Sequence, residues 1–161
     1  MKRLLNLSLS LCLLFSIPIL QAAELKDFTG KPQSIEHYAG KDKWLVVMIW
    51  ASDCHVCNEE ASSYELFHHA RKDKDAHVLG ISLDGERKKK AAEAFVARHQ
   101  LSFPNLIGEP EQVMSMFSEL TGVAWLGTPT FLIYDPSGKL VVQQVGAVPV
   151  NLIEAFIERN S

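Results

Sequence analysis

Two cysteines, Cys54 and Cys57, close the run "WASDCHVC" (Trp50 to Cys57). Their spacing suits three kinds of chemistry: half of a metal clip, a structural crosslink, or a pair that exchanges electrons. The run follows "KWLVVMI", an apolar stretch that reads as a buried strand. A cysteine where a strand gives way to a helix meets the free N–H groups of the first turn and the positive end of the helix dipole. Both favour thiolate, and a free thiol near pKa 8.5 falls to about 3.5–7.5 in such settings. Cys54 occupies that place, and Cys57 lies about one turn deeper on the same face. Cys54 would attack a partner disulfide and Cys57 would resolve the mixed disulfide. The other two readings carry less. A tetrahedral zinc site needs four ligands. His55, His68, His69, His77 and His99 could add to the pair, but no second pair has ligand spacing, and His68 and His69 are adjacent on a helix. An inert bridge gains little from closing so short a loop.

The elements that must position this pair follow from hydrophobic spacing. Phe28 to Trp44, with turns at Gly30-Lys31-Pro32 and Gly40-Lys41, reads as an extended lead-in or hairpin. Leu45 to Trp50 is apolar throughout, a strand covered on both faces. Cys54 to about Arg71 has helical spacing through Cys57, Ala61, Tyr64 and Phe67 or His68. Val78 to Leu83 is a second buried strand, and a helix is expected from Asp84 or Gly85 through His99. Val113 to Leu120 is a shorter helix. Phe131 to Tyr134 and Leu140 to Val145 are strands joined by the turn "DPSGK". Val150 to Arg159 closes as an amphipathic helix with Leu152, Ile153, Phe156 and Ile157 inward. Alternating strands and helices followed by a hairpin predict an α/β domain, a mixed central sheet flanked by helices.

The 161 residues are 47% hydrophobic and 22% charged, the balance of an ordinary globular domain. Residues 1–23 stand apart: Lys2 and Arg3, a mostly apolar stretch from Leu4 to Leu20, then Gln21-Ala22-Ala23. That is the layout of a secretory signal peptide, either cleaved near Ala22 or Ala23 or kept as an anchor. It predicts a domain over residues 24–161 in the periplasm or another extracytoplasmic space. Without Lys2 and Arg3, 14 basic residues face 19 acidic ones, so no nucleic-acid surface is implied. Without Cys12, Cys54 and Cys57 are the remaining cysteines, which excludes a disulfide-stapled scaffold.

A second feature adds to the pair. In "GTPTFLIYDPSGKLV" (Gly127 to Val141), Pro129 stands just before an apolar strand, where its missing N–H is tolerated. "W-A-x-x-C-x-x-C" followed by "T-P-T-F-L-I-x-D-x-x-G-K" resembles the thioredoxin fold. With "F-T-G-K-P…Y-A-G-K" and "GISLDGERKKKAAEAFVARHQLSFPNLIG", it is similar to the exported TlpA/ResA-like thiol–disulfide oxidoreductases over about residues 25–159. The latter stretch matches the inserted strand–helix segment of that branch. The resemblance implies that Cys54 attacks, Cys57 resolves, and Pro129 is a cis-proline facing them. It implies that Thr128 offers backbone hydrogen bonds to a partner strand. Trp50 and Trp125, near these segments in sequence, are further candidates for substrate binding. Glu60 matches an acid that could trade a proton with Cys57, one turn before it. The branch requires no cofactor or metal. It implies protein thiols and disulfides as substrates, among them apocytochrome c, a Dsb-type membrane thiol carrier as electron source, and a monomer.

Departures from the pattern bear on tuning. Asp53 stands where relatives have tryptophan; its carboxylate would raise the Cys54 thiol pKa, or cap the helix as N-cap. The N-cap role is favoured. Met48 stands six residues before Cys54, where thioredoxin has a buried aspartate. His55, between the cysteines, would favour thiolate when protonated. Trp125 and Leu126 are either a docking patch or core. The basic run Arg87 to Lys90 reads as a solvated face. The leading expectation is a reductase; a disulfide oxidase or isomerase is the close alternative. A thiol peroxidase would need Thr or Ser where Ala51 stands and proline where Val47 stands. A metal-binding adaptor domain is the non-catalytic alternative.

Overall fold

The computed structural model describes residues 25–161. The predicted leader, residues 1–23, lies outside them. One seven-stranded sheet organises the chain: β1 (Leu25–Asp27), β2 (Pro32–Gln33), β3 (Trp44–Trp50), β4 (Ala76–Ser82), β5 (Asn105–Ile107), β6 (Thr130–Tyr134) and β7 (Leu140–Val145), in the order β2-β1-β5-β4-β3-β6-β7. β3, β4 and β5 run parallel; β6 lies antiparallel to β3, and β7 to β6. α1 (His55–Arg71) joins β3 to β4, and α2 (Lys89–Arg98) joins β4 to β5. α3 (Pro110–Thr121) leads to β6, and α4 (Val150–Asn160) ends the chain. This is the thioredoxin-like arrangement, with α2 and β5 as the inserted elements.

β3 carries seven consecutive buried residues because both of its faces are covered. Val46, Met48 and Trp50 face a core built with Cys57, Ala61, Tyr64 and Phe67 of α1, Phe95 of α2, and Ile153 and Ile157 of α4. Leu45, Val47 and Ile49 face the other core, with Val113 and Phe117 of α3 and Ile35 of the lead-in. The strand's period of two thus serves two layers at once.

Several expectations change. The hairpin read in the lead-in forms between β1 and β2, but it begins at Leu25 rather than Phe28, and β1 also pairs with β5, so it extends the main sheet. Hydrophobic spacing does not mark β5, which only the family resemblance covers; three residues are too few to show a period, and its register comes from pairing with β4. No α-helix starts at Asp84 or Gly85. A short 3₁₀ turn, Glu86–Lys88, precedes α2, because Gly85 takes a positive φ of 65° and the Glu86 N–H is capped from afar by Glu109. Leu152 points outward, 57% exposed, since Ile153 and Ile157 already fill the stripe that α4 buries. The inward positions expected for α1 are all buried, His68 included.

Candidate active site

Register brings four segments to one end of the sheet. Trp50, last in β3, pairs with Ser82, last in β4. Ile49 pairs with Thr130, first in β6, and Thr130 pairs with Val145, last in β7. The turn 51–54, the segment after Ser82, the Gly127–Pro129 approach and the Val145–Val148 exit therefore meet at the carboxyl ends of the parallel strands, the usual site end of an open α/β sheet.

Cys54 is the N-cap of α1, with extended backbone (φ −75°, ψ 113°). Its Sγ accepts the Cys57 N–H at 3.1 Å and is bonded to Cys57 Sγ, with the Cα atoms 5.3 Å apart. Cys57 is fully buried and Cys54 half-buried, so Cys54 is the more accessible of the two. The sulfur here takes the acceptor role that Ser or Asp plays at an ordinary N-cap, and the amide that holds it would equally hold a thiolate.

This corrects the N-cap expectation for Asp53. Its carboxylate lies on the surface and pairs with Lys88 Nζ at 2.8 Å. That hydrogen bond holds the Asp53 carboxyl below the usual carboxylate range and raises the Lys88 ammonium. His55 is also outward, with Nε2 3.1 Å from Glu59 Oε1. Both side chains that flank Cys54 in sequence therefore already have a polar partner of their own.

The Thr128-Pro129 peptide is cis. Pro129 is buried and Thr128 half-buried. The Pro129 carbonyl accepts the Gly146 N–H at 2.9 Å, and Thr130 Oγ1 donates to the Gly127 carbonyl at 2.6 Å, fixing the approach to β6. Trp50 does not sit on a binding face. It has no exposure, stacks on Phe95 at 4.1 Å, and donates Nε1–H to Asn105 Oδ1 at 3.1 Å. Its motif position reflects core packing under the turn, which residue type alone did not reveal. Trp125 is half-buried, edge-on to Phe117 at 5.3 Å, whereas Leu126 is 74% exposed. Trp125 is thus largely core and Leu126 surface.

Glu60 lies on the Cys57 side of α1, partly buried. Burial pushes its carboxyl pKa up, against the lowering effect of the Val148 N–H, and Glu59 adds a smaller push. Oε2 is buried with no hydrogen-bond partner among the described residues. Tyr64 ties the same loop by donating to the Val148 carbonyl at 2.7 Å. Met48, where thioredoxin has its aspartate, is buried between Gly80 and Phe131 in the register.

Sequence reasoning missed four residues here: Ser52, Asn58, Asp84 and His99. Asn58 Nδ2 donates to the carbonyls of Ser52 and Cys54 at 3.2 and 2.8 Å, and its Oδ1 meets His99 Nε2 at 3.0 Å. Asp84 accepts from Ser52. The available signal was topological: an acid just past a strand parallel to β3 must lie beside the turn that follows β3.

Comparisons with known proteins agree with this geometry. The chain is 26% identical over 133 residues to a protein named thiol-disulfide oxidoreductase ResA from Bacillus thuringiensis (strain Al Hakam), covering 83% of this chain and 71% of that one. Among solved structures, it superposes with TM-score 0.69 on a thiol:disulfide interchange protein from Chlorobium tepidum, at 18% identity, over 85% of this chain and 93% of that one. A secreted disulfide oxidoreductase of Mycobacterium tuberculosis, described as homologous to E. coli DsbE, gives TM-score 0.66 at 20% identity, over 84% and 94%. The AhpC/TSA family pattern matches residues 19–143, more than half of the sequence. With its seven-stranded thioredoxin-like sheet and its cysteine pair at the head of α1, the chain belongs to the AhpC/TSA family.

Proposed function

We propose that this chain is an extracytoplasmic thiol–disulfide oxidoreductase that reduces disulfides in protein substrates. One observation carries the reading: Cys54 Sγ sits at the N-terminus of α1 facing the Cys57 N–H, with its resolving partner already bonded to it. In the reduced protein, the Cys54 thiolate attacks one sulfur of a substrate disulfide and expels the other as thiolate. Cys57, giving up its proton, then attacks Cys54 Sγ and expels the second substrate thiolate. Two electrons pass to the substrate, whose thiolates take two protons, and the Cys54–Cys57 disulfide remains. Glu60, whose pKa burial raises, is the acceptor for the Cys57 proton. Thr128 and cis-Pro129 line the substrate side of the turn. A dithiol donor of the Dsb-type membrane carrier class resets the pair.

The charge pattern supports the reducing direction. Strong oxidants on this fold stabilise the reduced thiolate heavily. Here the Lys88 ammonium is held by Asp53 and the His55 ring lies against Glu59, so neither side chain is left free to favour the thiolate. Ala51 and Val47, at the positions where a peroxidase would carry Thr or Ser and proline, speak against peroxide as the oxidant. The leader-like residues 1–23 and the secreted Mycobacterium relative support export. Apocytochrome c is one substrate that fits this compartment and direction.

Equilibration against glutathione tests the direction. A potential below about −220 mV supports a reductase, and one above about −150 mV replaces it with an oxidase. Insulin reduction tests the mechanism: Cys54→Ser is expected to abolish it, and full activity in that variant would remove the proposal.

A further inference from the structure

The segment inserted after β4 touches the redox turn at three points, and the innermost is a buried carboxylate. Asp84 is 6% exposed. Its Oδ2 accepts the Ser52 N–H at 2.9 Å and the Ser82 hydroxyl at 2.8 Å, and its Oδ1 accepts the Ser52 hydroxyl at 2.9 Å. The Asp84 N–H returns to Ser82 Oγ at 3.1 Å, and the Leu83 N–H donates to the Trp50 carbonyl at 3.0 Å. Burying a carboxylate is costly unless its oxygens are satisfied. Here the donors that satisfy it are neutral, and two of the three belong to Ser52, two residues before Cys54. The carbonyl side of the same turn is held by Asn58, which bonds the Ser52 and Cys54 carbonyls and is itself met by His99 of the insert. The turn is thus fixed through its N–H side by Asp84 and through its C=O side by Asn58.

We propose that Asp84 is a positioning residue for the thiol chemistry: its bonds to Ser52 fix the turn so that Cys54 stays the N-cap of α1, with Sγ facing the Cys57 N–H. The inference rests on the reading of Cys54 as nucleophile and adds the device that aims it. Position and charge act in opposite senses. Holding Sγ against the amide favours thiolate, whereas the negative charge of Asp84 disfavours it. The two effects are therefore separable.

The experiment measures the pH dependence of Cys54 alkylation in the reduced full-length protein and in three variants, each checked for folding by circular dichroism. Ser52→Ala removes one donor and no charge. Its alkylation at pH 7 is expected to slow about threefold or more, an upward move of the profile by about half a pH unit or more. Asp84→Asn is expected to move the same way although a negative charge has gone, because one amide oxygen cannot replace two carboxylate oxygens. Ser52→Thr keeps both donors and is expected to keep the wild-type profile. Faster alkylation in Asp84→Asn would show charge acting alone and overturn the proposal. So would a wild-type profile in Ser52→Ala, which decides the matter even if Asp84→Asn fails to fold. A wild-type protein whose Cys54 ionises like free cysteine would instead overturn the underlying nucleophile reading, a separate and recognisable failure.

Discussion

The β3–α1 junction, residues 50–57, and the inserted segment from Asp84 to Gly108 lie against each other but are specified differently. The junction is local. An apolar strand runs into a helix whose N-cap sulfur bonds an amide three residues on. The insert acts at long range: Asp84 reaches Ser52 across 32 positions, Lys88 reaches Asp53 across 35, and His99 reaches Asn58 across 41. Beneath these polar contacts, Phe95 stacks on Trp50 and Asn105 takes its indole N–H. The chemistry is carried by the junction, and its aim and electrostatic surroundings by the insert.

That division can be broken most severely at the shared core. Phe95→Ala is expected to cost about 3–5 kcal/mol, because the ring is fully buried and stacked on Trp50. A loss under about 1 kcal/mol in denaturant melts would mean that the insert packs as a loose lobe. Gly80→Ala probes the same contact from the strand. A Cβ there would lie 2.9 Å from Trp50 Nε1 and run into the Asn105 side chain, both packed in place. A destabilisation of about 1–3 kcal/mol is expected, and a neutral result would show that the insert gives way freely.

A weaker effect separates proton handling from positioning. Because burial raises the Glu60 pKa, the folded state binds that proton more tightly than the unfolded chain does. The sign follows: stability is lost as pH rises from the unfolded carboxyl range through the folded pKa. Glu60→Gln is expected to melt higher than wild type at pH 8 and alike at pH 4, while slowing disulfide reduction. Unchanged melting at both pH values would contradict the burial argument.

The smallest effect concerns the exposed pair. Lys88→Met leaves Asp53 uncompensated beside Cys54 and is expected to raise the Cys54 alkylation profile by a few tenths of a pH unit, roughly the scale of a screened surface charge. Adding Asp53→Asn is expected to cancel the rise. Equal shifts in the single and double variants would mean that Lys88 does not act through Asp53.

The same division explains what the sequence could show. Cys54, Cys57, the covered strand β3 and the buried stripe of α1 follow from spacing over a few residues, where period and capping rules apply. Pro129 is placed by its position before a strand, and the resemblance to a family supplied its role. β5 is three residues long and exists because β4 and β1 offer it edges, so no local pattern marks it. Asp84 reads as a helix start because an acid before a run of helix formers has that appearance. Its real partner is fixed only when β3 and β4 align in parallel. Asp53 was expected to cap a helix on residue preference alone, but the cysteine beside it takes the amide and Lys88 draws the carboxylate outward. Trp50 shares a motif with the cysteines yet belongs to the core, because alternation along β3 turns it inward toward Phe95.

The central claim is that one sulfur attacks and the other releases. Trapping tests it most directly: the reduced Cys57→Ser protein is incubated with a disulfide-bonded substrate and the adducts are mapped. The account predicts a persistent mixed disulfide through Cys54, and none from the Cys54→Ser protein. An adduct that forms readily through Cys57 when Cys54 is absent would contradict it.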